Sequence, residues 1–278
     1  MTRIGILQPG EMGISVAASA IYSGHQVYWT SQGRSDKTRT RADKYDLIEI
    51  DSLFQFCQTC EIIVSVCPPH AAEDVTESVI EAGFKGIYLD ANAISPQRAI
   101  KIGQMLQAND IQFVDGGIIG GPAWTLKGTR LYLSGDYSEE IASCFANGPL
   151  ETKIIGIEIG KASGLKMCYA AYSKGTTALL SAILATAESL GVRGELYEQW
   201  DLDEKSFSEQ VDRRVTRVTG KAWRFEGEMK EIAETFREAG LPQGFHEAAA
   251  EIYRRMAEFK NSNETPSLND VLNALLTQ

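Results

Sequence analysis

The chain has 278 residues, 44% of them hydrophobic and 23% charged, the balance of a globular protein with one large or two ordinary domains. A formal net charge of −10 repels phosphate backbones and anionic bilayers, so neither nucleic acid nor membrane is an expected partner. The sequence opens on no basic and apolar leader and holds no apolar run of membrane-spanning length, so a cytoplasmic address is expected.

The first apolar run, residues 3–7, has the pattern of a strand, and the small-residue stretch 14–21 that of a helix. Between them stands Gln8-Pro9-Gly10-Glu11-Met12-Gly13. Gly10 and Gly13 hold the second and third glycine positions of a dinucleotide fingerprint, where bare backbone admits a phosphate and the helix packs closely on the strand; Gln8 replaces the first. An ordinary strand-turn-helix with turn glycines is the plainer alternative.

Further strands are expected at 26–30, 47–50, 62–67, 86–91, 112–115, 131–134 and 153–157. Helices are expected at 13–23, 52–59, 71–82, 95–108 and 138–146. This alternation predicts an α/β domain over residues 1–159, a doubly wound, mostly parallel sheet of the Rossmann type that binds a dinucleotide. Beyond residue 160 the strand signal stops, and helices over 162–190, 207–218, 222–239 and 244–260 predict an all-α C-terminal domain.

The end of the second strand decides which nicotinamide cofactor fits. Thr30-Ser31-Gln32-Gly33-Arg34-Ser35 offers no acid for the ribose hydroxyls that an NAD site binds. Ser31, Arg34 and Ser35 instead suit a 2′-phosphate, because the planar guanidinium pairs with phosphate oxygens, and NADP is expected over NAD. The alternative is a solvated loop whose Lys37, Arg39 and Arg41 balance an acidic surface. Cys67 and Pro68 follow the fourth strand, Asn92 the fifth, and Asp115-Gly116-Gly117-Ile118-Ile119-Gly120-Gly121 the sixth. Ligands of open α/β sheets bind beyond such strand ends, and these glycines are expected to leave backbone amides open to a ligand. His25, His70 and His246 are scattered, and Cys57-x-x-Cys60 stands alone, so no metal site is expected and the five cysteines fit reduced thiols.

The fingerprint, the Asp90-x-Asn92 strand end, the glycine-rich segment and the run Gly160-Lys161-Ala162-Ser163-Gly164-Leu165-Lys166 come in the order of the β-hydroxyacid dehydrogenases. Nearly the whole chain resembles this family, which includes 6-phosphogluconate and 3-hydroxyisobutyrate dehydrogenase; its C-terminal part is similar to that of a less characterised branch. The resemblance implies hydride transfer between NADP and a secondary alcohol or carbonyl. Lys166 would be the catalytic acid/base, since a lysine shielded from water loses its proton more readily. Asn92, Gly117, Ile118 and Tyr169 would line the substrate, and the helical domain, 160–278, would dimerise. Two departures stand out: Tyr169 and its neighbours replace the family's asparagine one turn past the lysine, and Ile119 replaces the serine before the paired glycines. Both point to a larger or more apolar substrate than a short hydroxy acid. Imine reduction is the second enzymatic reading, opposed by Lys166, which related imine reductases usually lack; a catalytically silent NADP-binding sensor or scaffold is the third.

Overall fold

The computed structural model describes residues 1–262 and 264–277. It divides into two compact units, Met1–Met167 and Cys168–Gln278.

The first unit alternates β1 (Arg3–Ile6), α1 (Glu11–Tyr22), β2 (Gln26–Thr30), α2 (Asp36–Lys44), β3 (Ile48–Ile50), α3 (Leu53–Thr59), β4 (Ile62–Ser65), α4 (Ala72–Glu81), β5 (Ile87–Asp90) and α5 (Pro96–Gln107). It continues through β6 (Gln112–Gly120), β7 (Thr129–Ser134), α6 (Ser138–Ser143), β8 (Leu150–Ile154) and the start of α7 (Lys161–Ala170), whose residues from Cys168 on belong to the second unit. The eight strands form one sheet in the order β3-β2-β1-β4-β5-β6-β7-β8, parallel except where β6 meets β7. The order reverses between β1 and β4, so the strand ends there open a crevice. Apolar runs explain the burial: Ile4, Ile6, Ile63, Val64 and Leu89 of the central strands are at most 0% exposed, as expected of strands covered on both faces.

Three local expectations need correction. The segment after β2 is not a loop: Ser35 caps α2, its Oγ accepting from the Thr38 amide at 3.4 Å. With Ala42 as its one buried residue, α2 lacks the apolar stripe by which periodicity finds a helix. The glycine-rich stretch after Asp115 is not open either, because β6 runs on to Gly120 and pairs antiparallel with β7, which occupies that backbone. The last strand lies at Leu150–Ile154, earlier than residues 153–157.

In the second unit follow a π-helical turn (Ala171–Gly175), α8 (Thr176–Ser189), α9 (Arg193–Asp203), α10 (Phe207–Arg217), α11 (Ala222–Glu238), α12 (Gly244–Arg255) and α13 (Leu268–Leu276). Its core includes Leu184, Met229, Ile232, Tyr253 and Val271. The π turn interrupts what reads as one helix over 162–190. A π turn displaces carbonyls from their usual partners, and here others take them. Arg214 Nη2 donates to Ser173 O at 2.7 Å, and Tyr253 Oη donates to Lys174 O at 2.8 Å. Among the described residues no helix is long and apolar enough to cross a membrane.

Candidate functional site

The turn from β1 to α1 is built by backbone. The Gly10 amide donates to Gln8 O at 2.8 Å, and Gly10 serves as the N-cap of α1 in an extended conformation. A Cβ at Gly13 would stand 2.1 Å from Gln8 O, so this position admits only glycine if helix and strand are to touch. Gln8 lies outside the left-handed region, which is why a side chain is tolerated where the fingerprint has its first glycine. That side chain accepts from the Val66 amide at 3.4 Å. The amides of Glu11, Met12 and Gly13 open α1, where the first N–H groups have no intrahelical acceptor and the helix dipole favours an anion. Pro9 O accepts from Arg41 Nη1 at 3.3 Å.

Beside this turn the end of β2 borders a cavity of about 510 Å³, lined by Leu7, Gln8, Thr30, Gln32, Arg34, Phe54, Val75 and Val79 among others. Thr30 Oγ1 and Arg34 Nε are enclosed and have no hydrogen-bond partner among the described residues. Leaving such groups unpaired is costly, so they fit a polar ligand placed between them. Burial lowers the pKa of the Arg34 guanidinium, with the nearby Cys67 acting in the opposite sense. Ser31 is 8% exposed and turns to Glu49, whose carboxyl is held low by the Ser31 hydroxyl and by Arg39. Sequence reading found no acid near β2; Glu49 arrives from β3, and its charge is already engaged by Arg39. The Ser35 hydroxyl caps α2.

The ends of β4 and β5 form a closed polar network. Asn92 Nδ2 donates to Asp90 Oδ2 at 2.9 Å and Ser65 Oγ at 3.2 Å, and Asn92 Oδ1 accepts from the Cys67 amide at 2.5 Å. The Asn92 side chain is thus consumed in tying two strand ends together and shaping the Cys67-Pro68 backbone. Burial, reinforced by the charge of Asp115, pushes the Asp90 carboxyl up to about 7 despite bonds from Asn92. Because that value lies above the unfolded one, Asp90 contributes stability that is complete below about pH 4 and lost as pH rises through 7. Urea unfolding followed from pH 5 to 8.5 is therefore expected to show a fall in stability that Asp90→Asn removes; parallel profiles would disprove it. Burial also pushes the Cys57, Cys60 and Cys67 thiols up to about 12, the opposite of a reactive or metal-binding thiol. No group of three or more candidate metal ligands occurs among the described residues.

β6 and α7 form the second half of the site. Asp115 is 1% exposed, and its Oδ2 accepts from the amides of Gly160 (2.9 Å), Ala162 (3.0 Å) and Ser163 (3.1 Å) and from Ser134 Oγ (3.0 Å). Its Oδ1 accepts from Ser163 Oγ at 2.5 Å. One carboxylate thus anchors the start of the helix that carries Lys166. Two residues on, a Cβ at Gly117 would stand 2.6 Å from Ala162 O and 3.1 Å from Lys166 Cβ, so Gly117 sets the closeness of strand and helix. Lys166 Nζ then donates to Ile118 O at 2.6 Å.

The structure therefore gathers Gln8 to Gly13, Arg34, Cys67, Pro68 and Asn92 along the ends of β1, β2, β4 and β5, and Lys166 with Gly117 and Ile118 at β6. Tyr169 belongs to the second unit and is 48% exposed. Sequence reading missed Thr30, Arg41, Glu49 and the anchoring role of Asp115. Of these, Asp115 alone carried a signal, as the acid that opens the glycine-rich run.

A parallel sheet with this strand order and a glycine turn at its first crossover defines a dinucleotide-binding protein of the Rossmann class. Residues 3–145 match the NAD binding domain of 6-phosphogluconate dehydrogenase, and residues 187–256 match a domain of unknown function, DUF1932. An uncharacterized 28.5 kDa protein of Methanothermus fervidus is 30% identical over 233 residues, 84% of this chain and 88% of that protein. The 3-hydroxyisobutyrate dehydrogenase of Pseudomonas aeruginosa is 25% identical over 149 residues, about half of each chain (51% and 49%). A solved conserved protein of unknown function, described as structurally similar to 3-hydroxyacid dehydrogenases, superposes with a TM-score of 0.69 at 28% identity, covering 92% of this chain and 97% of that one. The chain belongs to the 6-phosphogluconate dehydrogenase-like family of NAD(P)-dependent oxidoreductases.

Proposed function

We propose that the protein is an NADP-dependent oxidoreductase that moves hydride between the nicotinamide and a secondary alcohol or its carbonyl, of the hydroxyacid type, with Lys166 as acid/base. The observation that carries the reading is the geometry of Lys166: its helix is anchored by Asp115, and its ammonium group is fixed against Ile118 O. A nicotinamide supplies or takes up the hydride when bound. In the oxidative direction Lys166, unprotonated, takes the proton of the substrate hydroxyl; in the reductive direction it returns a proton to the carbonyl oxygen. Gly117, Ile118 and Tyr169 are assigned to the substrate space, and Asn92 borders it while its side chain ties the strand ends together.

Backbone from Gln8 to Gly13 holds the pyrophosphate in this reading, with Cys67, Pro68 and Asn92 flanking the cofactor. Ser31, Arg34 and Ser35 take the 2′-phosphate, and the desolvated Arg34 guanidinium supports NADP over NAD, since a buried cation gains most from an anionic partner. Residues 1–159 serve the cofactor, and 160–278 serve the substrate and a homodimer, in the cytoplasm. The cofactor assignment predicts that NADPH binds at least about tenfold tighter than NADH, the worth of one charge-assisted contact. Arg34→Gln should bring the two within about threefold. Equal or tighter NADH binding by the unaltered protein, measured by calorimetry, overturns the assignment.

A further inference from the structure

A second recess, of about 550 Å³, lies between α1 and α2 and shares no lining residue with the cavity at the end of β2. Helix α2 presents Lys37, Arg41 and Lys44 to it, at the i, i+4 and i+7 spacing of one helix face. None of the three is ion-paired among the described residues, whereas Arg39, on another face of the same helix, is held by Glu49. Glu11 is the one carboxylate in the lining. Three cations therefore line one recess against a single carboxylate, in a chain whose net charge is −10.

The recess is also built, not merely charged. Arg41 is partly buried, its guanidinium steadied by Pro9 O at 3.3 Å. The Ala123 amide donates to Ser15 Oγ at 2.9 Å, which ties the β6–β7 connection across the start of α1. That connection places Trp124 on Tyr45, ring centroids 5.0 Å apart and planes 18° from parallel, while 44% of Trp124 stays exposed. Part of the recess wall is thus an aromatic pair, with Lys44 Nζ 5.6 Å from the centroid of the Tyr45 ring.

We propose that this recess binds a phosphate monoester, with the planar fork of Arg41 as its anchor and Lys37 and Lys44 as supporting point charges. Because the 2′-phosphate of the cofactor is assigned to Ser31, Arg34 and Ser35, at a cavity with no lining residue in common, the ligand here is the phosphate of a separate small molecule.

Inorganic phosphate titrated into the intact protein by calorimetry is the direct test. Saturable binding is expected, weakened at least tenfold by Arg41→Gln and less than twofold by Arg39→Gln, which removes the same charge from the same helix away from the recess. Phosphate binding should persist under saturating NADPH, as a site for a separate phosphorylated ligand requires; binding abolished by NADPH overturns it. Absence of saturable binding, or equal losses in the two variants, overturns the proposal. Since the probe is inorganic phosphate, the result stands whether NADPH or NADH proves the tighter cofactor.

Discussion

Lys166→Met is expected to lower kcat by about 10²- to 10⁴-fold on any secondary alcohol the protein oxidises, the range that a positioned acid/base contributes. NADPH affinity should stay within about twofold, because Lys166 sits at Ile118 O on β6, away from the β1–α1 turn and the end of β2. Methionine suits the test: it keeps length and helix propensity while removing the proton carrier. The decline in turnover on the acid side of the pH profile should vanish with it, since that limb would report protonation of the base. Steady-state rates across pH, set beside cofactor affinities, check both parts. Turnover near that of the unaltered protein would remove Lys166 from the reaction.

Asp115→Asn should be the most damaging change that touches neither cofactor nor substrate. The carboxylate accepts five hydrogen bonds from Ser134, Gly160, Ala162 and Ser163. An amide has one oxygen to offer and turns its NH₂ toward donors already there. Hydrogen bonds to a charged group are worth about 1.5–3 kcal/mol each, and orphaned buried donors add to the loss. A drop of about 3 kcal/mol in unfolding free energy is expected, together with the favourable charge at the start of α7. Because Lys166 lies little more than a turn into that helix, kcat should fall at least about tenfold with little change in KM, a split that simple loss of folded protein would not produce. Urea midpoints and rates on the same preparation decide it; unchanged stability, or a loss of KM alone, would deny Asp115 its positioning role.

How much of this was legible beforehand differs by element for physical reasons. The central strands were readable because burial on both faces makes them continuous apolar runs, and the β1–α1 turn because Gly13 has no room for a Cβ. Helix α2 was not, since it buries only Ala42 and is specified by the Ser35 cap and by ionic contacts such as Arg39 with Glu49. The π turn was not, because its displaced carbonyls are satisfied by Arg214 and Tyr253 from distant helices. The glycines after Asp115 were misread as open backbone, since the partner that covers them, β7, is identified only by pairing.

By itself, the sequence determined the class of sheet, the dinucleotide turn, the helical C-terminal region and membership of the oxidoreductase family. Each of these rests on local periodicity or on a short motif whose spacing is its own mechanism. Only the tertiary structure decided that Asn92 is consumed between strand ends, that Glu49 stands beside Ser31 with its charge engaged, that Asp115 anchors the lysine helix, and that Arg41 faces a recess. Those roles depend on which groups meet across tens of residues, where a hydrogen bond or an ion pair leaves no periodic trace in the chain.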